Sequence, residues 1–243
     1  MKIKFIVPVF SEETLLPMQE RVQQYVSSGT EVNLESIPYG TVSNESFYDE
    51  AVNTPGILKI AMKAQQDGYN GIFIECMLDL GINAVREAVD IPVVGPGRTS
   101  LLCAADLAES FTIISPLDNS NMPFLRLARS LGLEQKLASV RSIDIPMLYL
   151  SDRNKFLPAI LEVARKAVEE DGAHALVIGC TRMIDVEADI RGNLKEKGFN
   201  IPVVYGVPLT LRYLETLITN GLSQSKLTYM TPPKKKVNVW DRI

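Results

Sequence analysis

Apolar runs of strand length alternate along this chain with stretches of helical period. IKFIVPVF leads into LLPMQERVQQYV, VNLESIP is followed by GILKIAMKAQQ, and GIFIEC closes the first series. Runs of the first kind, bounded by turn residues and separated by helical patterns, predict βα units around a parallel sheet. The same reading places strands at 91–95, 110–116, 175–180 and 201–206. It places helices near 81–89, 97–108, 121–131, 154–170, 185–198 and 208–219. Gly68 and Gly172 each follow a helical stretch where a C-terminal cap glycine belongs. They also open an internal repeat. GYNGIFIEC, a helix and IPVVG form one copy; GAHALVIGC, a helix and IPVVYG form the other, with Cys76 and Cys180 at matched distances from the capping glycines. Two similar α/β lobes, each ending a central strand in a thiol, are the expectation.

Composition narrows the class of partner. The chain has 243 residues, 46% of them hydrophobic, enough to bury a core in each of two lobes. Its 29 acids against 25 bases give a formal charge of -4, spread along the sequence, so the basic footprint of a nucleic-acid binder is missing. A small molecule is the expected partner. MKIKFIVPVFSEE reads as a first strand rather than a signal peptide, and no run approaches the roughly 18 apolar residues of a membrane span. A cytoplasmic protein is expected. LTYMTPPKKKVNVWDRI, at the end, reads as an extended arm, and its Lys234–Lys236 run as a solvated surface.

Three cysteines, Cys76, Cys103 and Cys180, with no Cys-x-x-Cys pair and one histidine, His174, predict thiols rather than a disulfide framework and no metal site. In open α/β sheets ligands bind beyond the carboxyl ends of the strands, where Cys76 and Cys180 both fall. A thiol of ordinary pKa about 8.5, helped by a helix N-terminus, exchanges protons near neutral pH. If the lobes face each other, one thiolate removes a proton from carbon while the other thiol delivers one to the opposite face, inverting the stereocentre. The enolate or carbanion so formed needs donors around its carbonyl. Met77, Leu78 and Asp79 in one lobe, and Thr181 and Arg182 in the other, are candidates, with Ser11 and Ser115 as hydroxyls on the same rim. Cys103, in the apolar-faced SLLCAADLA, reads as a small hydrophobe, and His174 as a turn residue.

GIFIECMLDLGINAVREAVDIPVVG and ALVIGCTRM resemble the aspartate/glutamate racemase superfamily, and PYGTVSNESFYDEAVNTPGIL (38–58) with the Cys-x-x-Asp-x-Gly of Cys76, Asp79 and Gly81 resembles its hydantoin and allantoin racemases. The resemblance implies two pseudo-symmetric Rossmann-like lobes, each with a four-stranded parallel sheet flanked by helices, and an active site in the cleft between them. It implies residues 1–97 plus 208–243 for the Cys76 lobe and 98–207 for the Cys180 lobe. It also implies a racemase or epimerase needing no cofactor, with Cys76 and Cys180 catalytic and Pro8, Val9, Ser11, Tyr39, Met77, Leu78, Ser115 and Thr181 around the substrate. A homo-oligomer, dimer or higher, is implied as well.

Three departures bear on substrate. Val7-Pro8-Val9 stands where hydantoin racemases carry an Asn-Pro-Asn type segment, and Pro96-Gly97-Arg98 replaces a Glu-Ala type segment. Met77-Leu78 replaces the Asn-Thr of amino-acid racemases, removing a hydroxyl donor for an α-amino acid carboxylate. A neutral cyclic amide, such as a 5-substituted hydantoin or allantoin, is favoured over aspartate or glutamate. Isomerisation of maleate or decarboxylation of an arylmalonate through one cysteine, and ligand binding without turnover, stand as alternatives.

Overall fold

The computed structural model of the chain describes residues 1–11, 13, 15–150, 152–233 and 235. Lys234 and Lys236, from the basic run of the tail, lie outside the described residues. Two compact units share the chain: Met1–Gly95 with Thr210–Ile243 (unit 1), and Pro96–Leu209 (unit 2).

Unit 1 contains β1 (Lys2–Phe10), β2 (Glu31–Ile37), β3 (Gly71–Ile74) and β4 (Val93–Val94), paired in parallel in the spatial order β2-β1-β3-β4. Parallel neighbours need crossovers, which α1 (Leu16–Gln23), α2 (Phe47–Gln66) and α3 (Ile82–Ala88) supply. Unit 2 repeats the plan with β5 (Phe111–Ser115), β6 (Leu137–Ser142), β7 (Ala175–Ile178) and β8 (Val203–Val204), in the order β6-β5-β7-β8. Its helices are α4 (Pro96–Leu107), α5 (Asn121–Ser130), α6 (Arg153–Glu169) and α7 (Glu187–Glu196); α8 (Gly206–Thr219) carries the chain back to unit 1.

Central strands of parallel sheets are covered on both faces and so read as unbroken apolar runs. Every residue of β3, β5 and β7 is buried. Phe5 and Phe73, partners across β1 and β3, stack with ring centroids 4.5 Å apart. Ile72 and Ile74 are wholly enclosed, and trimming either to alanine should cost about 2–5 kcal/mol. The edge strand β6, LASVRS, is half-exposed over most of its length and carries no such run, so its sequence did not announce it.

Helix boundaries follow local chemistry. The α2 helix starts well before GILKIAMKAQQ because Ser46 caps it: the Ser46 Oγ accepts from Asp49 N at 3.2 Å, and Asp49 Oδ2 accepts from Glu45 N at 3.1 Å. At the other end Gly68, at φ 78, supports paired bonds from Gly68 N to Gln65 O and from Tyr69 N to Ala64 O, the Schellman arrangement. Gly172, at φ 69, sits one residue further from its helix, and Ala173 N reaches back to Ala167 O instead.

The returning C-terminal segment fastens itself to unit 1. Glu215 of α8, buried, accepts from Ser27 N at 2.9 Å and Thr30 Oγ1 at 2.6 Å, and Arg212 donates to it at 3.1 Å. Beyond the helix, Gln224 accepts from Val93 N and donates to the carbonyls of Val89 and Ile91, so the open edge of β4 is satisfied by a side chain. The Lys226 ammonium donates to Arg86 O, Glu87 O and Val89 O, where the C-terminal end of α3 favours a cation.

Candidate active site

The strand order fixes where each unit can hold a ligand. In unit 1 the chain leaves β1 for β2 on one side and later returns to set β3 on the other side of β1. Neighbours β1 and β3 therefore send their connections apart, and a crevice opens at their carboxyl ends. Unit 2 has the same switch between β5 and β7. Cys76 lies just past β3 and Cys180 just past β7, so each thiol stands at the switch of its own sheet.

In unit 1 Glu75 N still bonds Ile6 O at 2.9 Å, and the chain then turns sharply, with Cys76 N on Ile74 O and Asp79 N on Cys76 O, both at 2.9 Å. Asp79 adopts φ 53 and Gly81 φ 64, left-handed conformations that Asp tolerates and Gly takes freely. Asp79 is buried, and its carboxyl presses on the next strand's exit: a Cβ at Gly95 would lie 2.1 Å from Asp79 Oδ1. Cys76 itself is half-buried and packs against the unit 1 core.

In unit 2 Gly179 N bonds Ile114 O at 2.7 Å, and a Cβ at Gly179 would stand 2.6 Å from that oxygen. Cys180 is 5% exposed, its Sγ 3.7 Å from Met147 Sδ. The Tyr205 hydroxyl, buried, donates to Thr181 O at 2.7 Å and fixes the turn after the thiol. After Cys180 the chain runs to Glu187 before α7 begins.

The remaining nominated residues divide between the two units. Pro8 and Val9 lie where β1 loses register with β2; Pro8 is buried and Val9 half-buried. The Ser11 hydroxyl accepts from Glu13 N at 3.2 Å, a turn role. Tyr39 is half-buried beneath the Lys59 ammonium, 5.8 Å from the ring centroid. Its hydroxyl is buried with no hydrogen-bond partner among the described residues, and burial pushes its pKa up. Met77 is buried and Leu78 packs on the unit 1 core. In unit 2 Ser115 is fully buried, with its hydroxyl donating to Leu117 O at 3.2 Å, and Thr181 is 8% exposed. Arg182 and His174 are exposed.

A model of the family described as Asp/Glu/Hydantoin racemase matches residues 5–214. The chain belongs to that family. A hydantoin racemase from Pseudomonas sp. (strain NS671) is 30% identical over 238 residues, covering 97% of this chain and 94% of the relative. The solved allantoin racemase from Klebsiella pneumoniae superposes with a TM-score of 0.87 at 28% identity, over 98% of this chain and 96% of that one. An arylmalonate decarboxylase variant, at TM-score 0.68 and 13% identity over 90% of this chain and 93% of that one, shares the fold. Family membership and these relatives make the chain an isomerase of the racemase class.

Several residues of the two switches escaped the sequence reading. Tyr205 and Met147 are apolar or aromatic residues that local pattern alone assigns to the core. Asn53 is different. It lies fully buried on the stripe of α2 that also carries Ile57, Ile60 and Ala64, and an amide on an apolar stripe is a legible sign of a polar network. Cys103, read as a buried hydrophobe, is only half-buried on α4; burial and then the nearby Asp106 carboxylate push its thiol pKa up.

Proposed function

We propose that the chain racemises a five-membered cyclic ureide, a 5-substituted hydantoin or allantoin, without a cofactor and with Cys76 and Cys180 as the two acid/base groups. One thiolate takes the proton from the stereogenic carbon, and its electron pair moves onto the adjacent carbonyl. The opposite thiol then protonates the other face of that carbon. The enzyme ends with the two protonation states exchanged, ready for the opposite enantiomer. The observation that carries this reading is the placement of one thiol at the switch of each sheet, in a chain whose relatives include hydantoin and allantoin racemases.

Donors for the enolate oxygen come from the turns after the thiols. Asp79 N–H is committed to Cys76 O, which leaves the Met77 and Leu78 amides in unit 1 and the Thr181 and Arg182 amides in unit 2. Pro8, Val9, Ser11, Tyr39, Met77, Leu78, Ser115 and Thr181 line the substrate site in this proposal. The apolar Pro8, Val9, Met77 and Leu78 suit a neutral ring better than an amino-acid zwitterion, whose carboxylate would need paired donors.

Incubation in D2O with enantiopure hydantoins, allantoin, aspartate and glutamate, followed by NMR, tests both parts. Enzyme-dependent loss of the α-proton signal from a ureide, with racemisation, is expected. Exchange with aspartate alone would overturn the substrate class. Turnover of maleate with a succinyl adduct on Cys76 would overturn the two-base chemistry.

A further inference from the structure

We propose that Asn53 is a positioning residue for substrate binding: it joins the exit of β1 to the 40–46 loop and so sets the unit 1 rim. The inference rests on the reading of that rim as part of the substrate site. Its structural basis lies wholly within unit 1.

The exit of β1 poses a bonding problem. Between Val7 and Phe10 the register with β2 shifts, so the ladder does not carry the carbonyls of Pro8 and Val9 in regular fashion. Buried carbonyls need partners from elsewhere. Pro8 O receives Asn53 Nδ2 at 3.1 Å and Asn44 Nδ2 at 2.9 Å, while Val9 O receives Ser36 Oγ at 2.6 Å.

The same carboxamide holds the loop. Asn53 Nδ2 also lies 2.7 Å from Asn44 Oδ1 and 3.0 Å from Thr41 Oγ1, and Asn53 Oδ1 accepts from Thr41 N at 2.8 Å. An amide group offers two N–H donors and one acceptor oxygen, and this one uses both kinds at once. The loop closes back on the strand, with Phe10 N donating to Thr41 O at 2.9 Å. Gly40 leaves room for the carboxamide: its φ is 135, and a Cβ there would lie 2.2 Å from Asn53 Oδ1. Asn53 is 0% exposed, so a network member lost here leaves several buried groups unsatisfied together.

Asn53 therefore touches both segments that deliver Pro8, Val9 and Tyr39 to the rim, and no proton passes through it. Its removal should weaken substrate binding more than proton transfer. In Asn53→Ala we expect KM for the ureide to rise about tenfold or more while kcat falls less than about threefold. Hydrogen exchange gives a readout that needs no substrate. The amides of Thr41 and Phe10 should lose protection in Asn53→Ala, whereas Asn53→Asp keeps the acceptor oxygen and should preserve Thr41 protection while still raising KM. Asn44→Ala, a change at a half-buried residue that removes one of the two donors to Pro8 O, should raise KM by a few fold and serves if Asn53→Ala does not fold.

An unchanged KM despite lost protection at Thr41 would overturn the proposal, as would a fall in kcat alone. Unchanged protection of both amides in Asn53→Ala would overturn its structural basis. If the wild-type protein turns over no ureide, the substrate reading fails on its own, and the exchange data still decide whether Asn53 holds the two segments.

Discussion

The two thiol-bearing switches share a frame and differ in what surrounds the sulfur. Past β3, the turn after Cys76 rests on a buried carboxylate, Asp79 in a left-handed conformation against Gly95, and the thiol stays half-exposed. Past β7, the turn after Cys180 is held by a phenol, Tyr205 on Thr181 O, and the thiol is covered by Met147. A duplicated fold thus supplies two equivalent positions, while local side chains make the two groups chemically distinct. In the proposed racemisation the two thiols exchange protonation states at each turnover, so each must serve as acid and as base despite these different surroundings.

The largest effect expected from breaking this pairing is loss of turnover. Cys76→Ser and Cys180→Ser should each lower racemisation by about 10³-fold or more, measured by polarimetry, because a serine hydroxyl neither ionises nor protonates carbon near neutral pH. Full activity in either variant would reduce the reaction to one thiol.

Next come the two close-approach glycines. Gly179→Ala sets a methyl group against backbone, the Ile114 carbonyl, and should destabilise by roughly 2–3 kcal/mol. Gly95→Ala meets the Asp79 carboxyl, a side chain that can shift, and should cost about 1–2 kcal/mol. Chemical denaturation ranks the pair, and the reverse order would show that the Asp79 contact is the stiffer one.

Smaller changes sharpen the contrast in covering. Met147→Ala should speed alkylation of Cys180 by iodoacetamide several-fold and leave Cys76 unaffected, read by peptide mass spectrometry. Tyr205→Phe deletes one buried hydrogen bond and should lower stability by about 1 kcal/mol.

The smallest expected effect concerns acid. Burial pushes the Glu215 carboxyl upward, yet bonds from Thr30, Ser27 and Arg212 outweigh it, so the folded pKa lies below the ordinary value. A depressed carboxylate contributes stability above the unfolded pKa of about 4.3 and loses it as pH falls through the folded value. Glu215→Gln should therefore be less stable than wild type at neutral pH, with the difference shrinking below about pH 4.5 in thermal melts.

Much of the architecture was legible because parallel strands buried on both faces must be apolar throughout: GIFI, FTIIS and ALVI stand out for that reason alone. LASVRS did not, since an edge strand with mixed polarity obeys no single period. The thiol positions were readable from the repeat, because a residue just past a central strand has few places to go. What remained hidden was whatever depends on contacts far apart in sequence. Asp79 meeting Gly95, and Asn53 meeting Pro8, are properties of chains already folded.

Unit 1 is assembled from the first and last parts of the sequence, and that has a consequence for biosynthesis. Unit 2 is a continuous insertion and has all its residues once Leu209 has been translated. The β4 edge, by contrast, waits for Gln224, and the α1–β2 turn waits for Glu215. On a ribosome, the half that is made first is finished last. A chain ended at Leu209 should hold a protease-resistant unit 2 while leaving the segment around Cys76 open to cleavage.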